Sequence, residues 1–165
     1  MLVLGIVGSP RKGGNTEILM KQALDVCQEE GLRTEFVHLA DLQIDPCNEC
    51  MVCNKERIYP TKDDLSPLYE KMLKADGILL GSPVFFSSST PEMKALIDRA
   101  GYLGIAQDRP FKRKVGGAIV AGRRAGHNFT FFRTPFLFSL SRHDRTRLDL
   151  LECCLRQGCW RSAQS

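Results

Sequence analysis

The chain has 165 residues, 43% of them hydrophobic, which suffices for one domain with a substantial core and falls short of two ordinary ones. A formal net charge of +4 is modest, and several of the arginines behind it fall after residue 133, so the composition lends no support to nucleic-acid binding. The apolar start lacks a basic leader, and the longest later apolar stretch, Phe129 to Leu140, is interrupted by Arg133 and Pro135, short of the roughly 20 residues that a membrane span needs, so a soluble cytoplasmic protein without membrane contact is expected.

Leu2 to Val7 is a continuous apolar run ended by Gly8, the pattern of a parallel strand buried on both faces. Thr16 to Glu30 carries Ile18, Leu19, Ala23, Leu24 and Val26 at helical spacing, with Gly31 as its stop. Arg33 to Leu39 reads as a second strand that ends near His38, and a long loop follows. Asp63 or Asp64 can cap a helix running to Lys74, and Gly77 to Gly81 is a third strand. Pro91 to Gly101 reads as a helix with its proline in the first turn, where a missing N–H costs nothing, and Val115 to Ala121 is a fourth strand. Strands alternating with helices predict a three-layer α/β/α fold, with an open parallel sheet and ligands at the carboxyl ends of its strands.

After the first strand comes Gly8-Ser9-Pro10-Arg11-Lys12-Gly13-Gly14-Asn15-Thr16. Gly13 and Gly14 let backbone N–H groups approach an anion closely; Ser9 and Thr16 offer hydroxyls, Asn15 an amide and Arg11 a charge. The helix that starts here presents its positive dipole end, so the segment reads as a phosphate cradle. The spelling excludes the triphosphate loop G-x-x-x-x-G-K-[ST] and the dinucleotide G-x-G-x-x-G, which leaves a monophosphate.

This loop, together with A-D-G-I-L-L-G-S-P-V-F-F-S-S-S-T-P-E-M-K-A-L-I-D-R at 75 to 99 and V-G-G-A-I-V-A-G-R-R at 115 to 124, resembles the NAD(P)H-dependent FMN reductase-like flavoproteins, and among them the iron-sulfur flavoproteins. The resemblance covers residues 1 to 132 and implies a flavodoxin-like FMN-binding domain with strand order 2-1-3-4-5. It implies that Ser9, Arg11, Gly14, Asn15 and Thr16 hold the FMN phosphate. Pro83, Val84, Phe85, Phe86 and Ser87 would line one side of the isoalloxazine, and Gly122, Arg123 and Arg124 the other. Relatives carry a tyrosine where this chain has Phe85 or its neighbour, so a hydroxyl contact is lost while stacking is kept. The same resemblance implies NAD(P)H as electron donor, a small-molecule or protein electron acceptor, and a homodimer or homotetramer.

Cys47, Cys50 and Cys53 are spaced so that three thiolates can meet on one small cluster. A [4Fe-4S] cluster wants four cysteines; in the iron-sulfur flavoproteins the fourth follows a few residues later, where this chain has Tyr59. Three outcomes stay open for the inserted loop 45–60: a cluster with a non-cysteine ligand, no metal, or a zinc site completed by another group.

The segment 133–165 offers no closing strand in the form that the resemblance leads one to expect. Back-translated with suitable synonymous codons and read one nucleotide later, Arg142 to Cys154 can give G-M-I-V-P-G-S-T-Y-W-N-V-A, similar to the pattern of the relatives. A frameshift near residue 133 is therefore the expectation, against a divergent tail forming an amphipathic helix through Leu148, Leu151 and Leu155. The leading functional expectation is an FMN-dependent oxidoreductase; the rivals are a quinone or azo-compound reductase without a cluster, and a non-enzymatic metal-binding or redox-sensing module.

Overall fold

The computed structural model of the chain describes residues 1–134. The expected fifth strand and the frameshift reading of the tail both lie outside the described residues. Strands β1 (Leu2–Val7), β2 (Arg33–His38), β3 (Gly77–Pro83) and β4 (Val115–Ala121) form one parallel sheet in the order β2-β1-β3-β4. Val7 lies opposite His38 on one side and Gly81 on the other, and Pro83 lies opposite Ala121, so the carboxyl ends of all four strands lie along one edge. This is the flavodoxin-like order as far as the described strands reach.

Alternation along β1 sorts its side chains between two layers. Leu4 and Ile6 face the layer formed by α3 (Leu65–Lys74) and α4 (Pro91–Ala106), where they join Leu68, Met72, Ile78, Leu80, Leu96 and Leu103 in the main core. Val7 faces the opposite layer, where α1 (Asn15–Glu29) adds Met20 and Leu24 and β4 adds Ile119. Removing each such Leu or Ile from water is worth about 1.5–3 kcal/mol, which makes these two layers the main source of stability. The short α5 (His127–Arg133) covers Ala118 and Val120 of β4 with Phe131.

Helix α1 lies unusually close to the sheet. A Cβ placed on Gly5 would stand 2.8 Å from both Leu24 Cδ1 and Met20 Sδ, and one on Gly81 would stand 3.0 Å from Met20 Cε. The helix ends as expected at Gly31, whose φ of +79° permits a Schellman closure: Gly31 N–H donates to Gln28 O and Leu32 N–H to Cys27 O.

Helix α4 runs to Ala106, past the expected stop at Gly101. Gly101 is buried inside the helix, and Gly104 admits the edge of the Phe111 ring, 3.2 Å from where its Cβ would be, so these glycines serve packing and do not end the helix. Strand β2 stops one residue early because His38 Nδ1 accepts the Ala40 N–H and starts a short 3-10 turn, Leu39–Asp41.

One ion pair fastens the long loop to this frame. Arg99 and Asp63 have side chains only 6% and 3% exposed and bond directly, and Arg99 Nη1 also donates to Asp45 O at 3.0 Å. Asp63 accepts the Asp45 N–H and the Leu65 N–H; of the two expected caps it is Asp64 that holds the N-cap position of α3, but its side chain makes no capping bond and accepts the Gln43 N–H. Burial alone would raise the Asp63 carboxyl, yet the Arg99 hydrogen bonds and the two amides outweigh it and hold it below the usual range. Its stabilising contribution is therefore complete above about pH 4 and lost as the pH falls through the lowered folded value. Asp63→Asn should cost about 3–5 kcal/mol in urea unfolding, because it strands a buried guanidinium, and should flatten the acid limb of the stability profile. A variant with an unchanged urea midpoint would show that the pair does not hold the loop.

Candidate functional site

The loop between β1 and α1 is shaped by its own polar groups. Gly8 N–H donates to Gly81 O at 2.7 Å, continuing the sheet, and Ser9, buried, turns the chain by accepting the Arg11 N–H at 3.2 Å and donating to Arg11 O. Gly13 sits at φ +66° with nothing within 4 Å of the space a Cβ would take. Gly14 is the N-cap of α1, and its carbonyl receives the N–H groups of Glu17 and Ile18. Asn15 and Thr16 occupy the first helical positions, where backbone N–H groups have no intrahelical acceptor. Thr16 is buried, whereas Arg11 and Asn15 are exposed. Lys12 is held aside by an ion pair with Asp41.

The segment after β3 is equally specific. Val84 N–H donates to Ala121 O at 2.8 Å, and Phe85 and Ser88 exchange N–H···O bonds across Phe86 and Ser87, both in the left-handed region at φ +46° and +61°. Two successive left-handed residues make a type I′ turn, in which a phenylalanine at positive φ is strained. The turn puts Phe85 and Phe86 on the surface.

The loop after β4 closes against this turn. A Cβ on Gly122 would meet Val84 Cγ2 at 2.8 Å and His127 Nε2 at 2.5 Å, and one on Gly126 would meet Val84 Cγ1 at 2.8 Å. Val84, Phe86, Ser87, Arg123, Arg124 and Ala125 surround an open concavity of about 470 Å³, within the range of small-molecule sites. The structure thus brings the second and third expected segments around one concavity; the phosphate loop stands at the end of the neighbouring strand β1. Pro83, at the end of β3, lies opposite Ala121 of β4.

Thr90, which the sequence reading passed over, ties these parts together. It is fully buried, caps α4 by accepting the Met93 N–H at 3.3 Å, and donates its hydroxyl to Gly8 O. Its own N–H donates to Ser82 Oγ at 3.1 Å. A threonine directly before a proline at a helix start is a cap signal, so the position was legible in principle.

A profile of the NADPH-dependent FMN reductase family matches residues 1–143. The chain belongs to this family. Within the NADPH-dependent FMN reductase family it is 44% identical over 132 residues to an iron-sulfur flavoprotein of Methanocaldococcus jannaschii, and 39% over 127 residues to one of Methanosarcina thermophila. These matches cover 79% and 76% of this chain, and 67% and 66% of the relatives, so the chain spans about two thirds of their length. Among solved structures, a flavone reductase aligns at a TM-score of 0.56 with 27% identity, over 74% of this chain and 43% of that one. The azoreductase AzrA aligns at 0.66 with 12% identity, over 92% of this chain and 87% of that one, which speaks for the fold alone.

The groups that this family implies can be tested against the residues present. FMN fits: free first-turn amides, a buried Thr16 and an open Gly13 suit its phosphate, and the concavity beside Phe86 has the size and aromatic wall for its ring. A cluster does not fit as the residues stand. Cys47 and Cys50 are exposed, Cys53 is half-buried on the short α2 (Val52–Glu56), and no group of three or more His, Cys, Asp or Glu side chains among the described residues could hold a metal. Burial, and then the neighbouring Cys47 and Cys50, push the Cys53 thiol above its usual range. Tyr59 is turned into the core, edge-on to Tyr69 with the Arg99 guanidinium over its ring, and burial drives its phenol far above the ordinary value.

Thr90→Val keeps the shape and removes both the cap and the bond to Gly8. It should lower stability by about 1–2 kcal/mol and weaken flavin binding more than an exposed control such as Lys112→Ala, as read by urea unfolding and flavin fluorescence. Unaltered flavin affinity would detach Thr90 from the site.

Proposed function

We propose that the protein is an FMN-dependent oxidoreductase that passes reducing equivalents from NAD(P)H to an acceptor. The observation that carries this reading is the placement of the phosphate loop and the Phe86–Arg123 concavity at neighbouring strand ends, within a chain of the FMN reductase family. In the bound state FMN would supply the redox chemistry, taking up hydride from NAD(P)H and releasing electrons to the acceptor. The chain's own share is to bind and orient. The Asn15 and Thr16 amides and the Thr16 hydroxyl take the phosphate, with Ser9 and Gly14 shaping the turn and Arg11 adding charge. Pro83 to Ser87 and Gly122 to Arg124 grip the ring.

Exposed Phe85, Phe86, Phe129 and Phe132 lie on or next to the elements around the concavity and suit a homo-oligomer in which a second copy covers them. Free cysteines among the described residues suit a reducing compartment, and a cytoplasmic location is part of the proposal. No helix among the described residues is long and apolar enough to cross a membrane.

The purified chain is expected to take up FMN with quenching of flavin fluorescence, and its flavin absorbance should bleach on anaerobic addition of NAD(P)H. Thr16→Val, which removes the hydroxyl, should weaken FMN binding by about tenfold. A chain that ignores FMN would sink the proposal.

A second reading adds an iron-sulfur cluster at Cys47, Cys50 and Cys53, favoured by the names of the relatives and by the three-thiol spacing. It requires the exposed loop to rearrange so that the three sulfurs meet. Anaerobic incubation with iron and sulfide should then give iron-linked absorbance that Cys50→Ser abolishes; a chain that takes up no iron under those conditions works with flavin alone.

A further inference from the structure

Beside the phosphate loop stands a carboxylate that neither the sequence motifs nor the site described above assigns. Glu17 is the third residue of α1 and is only 9% exposed. Its Oε2 accepts the Gly13 N–H at 2.6 Å. The space that a Cβ on Gly13 would take is empty, and a glycine at positive φ is free to leave that conformation, so this bond joins the Ser9–Arg11 turn in holding the loop.

Two further side chains hold Glu17 in turn. Lys21, one helical turn on, pairs with Oε1 at 2.7 Å. His38, at the carboxyl end of β2, has a side chain 4% exposed; its Nδ1 accepts the Ala40 N–H at 3.2 Å, which leaves the proton of the neutral ring on Nε2. That Nε2 is buried without a hydrogen-bond partner and faces Glu17 Oε2 at 3.6 Å, a few tenths of an ångström beyond bonding range. The Lys21 hydrogen bond, and then the Gly13 amide, hold the Glu17 carboxyl below its usual range.

We propose that Glu17, steadied by Lys21 and His38, is a positioning residue that sets the phosphate loop for a phosphate monoester by holding the Gly13 amide. The inference rests on the FMN reading of the site and adds to it how the empty loop is kept in a binding shape. A charged acceptor gives the amide a shorter and stronger bond than a neutral one, and an acidic group in the first turn also complements the helix dipole. Lys21 offsets the charge of Glu17, so the carboxylate can stand behind the loop without repelling an incoming phosphate.

The experiment compares FMN with riboflavin, which has the same ring and lacks the phosphate, by fluorescence titration of the full chain. Glu17→Ala should lower FMN affinity by about tenfold or more and leave riboflavin affinity within about twofold of the parent, while Glu17→Gln, which keeps an acceptor for Gly13, should restore most of the loss. In the ligand-free protein, Glu17→Ala should speed hydrogen exchange at the Gly13 amide and leave the core amides of α1 unchanged. The proposal is overturned if Glu17→Ala binds FMN as the parent does, or loses FMN and riboflavin in equal proportion. Unchanged Gly13 exchange overturns it too. A parent chain that binds neither flavin defeats the FMN reading instead, and the exchange measurement still judges the hold of Glu17 on Gly13.

Discussion

The contact on which most of this architecture depends is the close seating of α1 on the sheet. Glycine at positions 5 and 81 removes the side chains that would otherwise hold the helix off, and Met20 and Leu24 fill the space. With the helix seated so low, its amino end meets the carboxyl end of β1 within a short turn, and the chain between must be tight, polar and rich in glycine. The form of the loop is thus tied to packing: the same closeness that buries Met20 puts Asn15 and Thr16 in the first turn of the helix, where backbone N–H groups have no intrahelical acceptor.

Much of this was legible. The apolar runs of β1, β3 and β4 and the stop at Gly31 stand in the structure almost where periodicity placed them, since buried parallel strands and glycine-ended helices depend on local sequence. The places where the reading went astray have a common cause. The helix expected from Pro91 to Gly101 continues to Ala106, and the use of Gly104 to admit Phe111 depends on a residue seven positions away across a turn. Helix α2 lies in a polar loop with no apolar period to reveal it.

The site divides in the same way. The turn and helix start at Ser9, Gly14, Asn15 and Thr16 could be read from the motif because a tight strand-to-helix turn depends on residue types adjacent in sequence. Glu17, His38 and Thr90 could not be read as a set, because His38 meets Glu17 and Thr90 meets Gly8 only through contacts between residues far apart in the chain. Tyr59 stands near the place expected for the relatives' fourth cysteine, and its ring packs against Tyr69 and Arg99, a placement that spacing alone could not give.

Helix α4 touches both of the loops at issue. Thr90 at its cap holds the carbonyl of Gly8, and Arg99 further along grips the two ends of the cysteine loop through Asp45 and Asp63. Nine residues of unbroken helix separate these anchor points, on the order of 14 Å along the axis. A helix of that length behaves as a rod, so it acts as a fixed spacer between the glycine-rich loop after β1 and the loop that carries the thiols. The distance between the two loops is thus set by the length of the helix that carries both anchors.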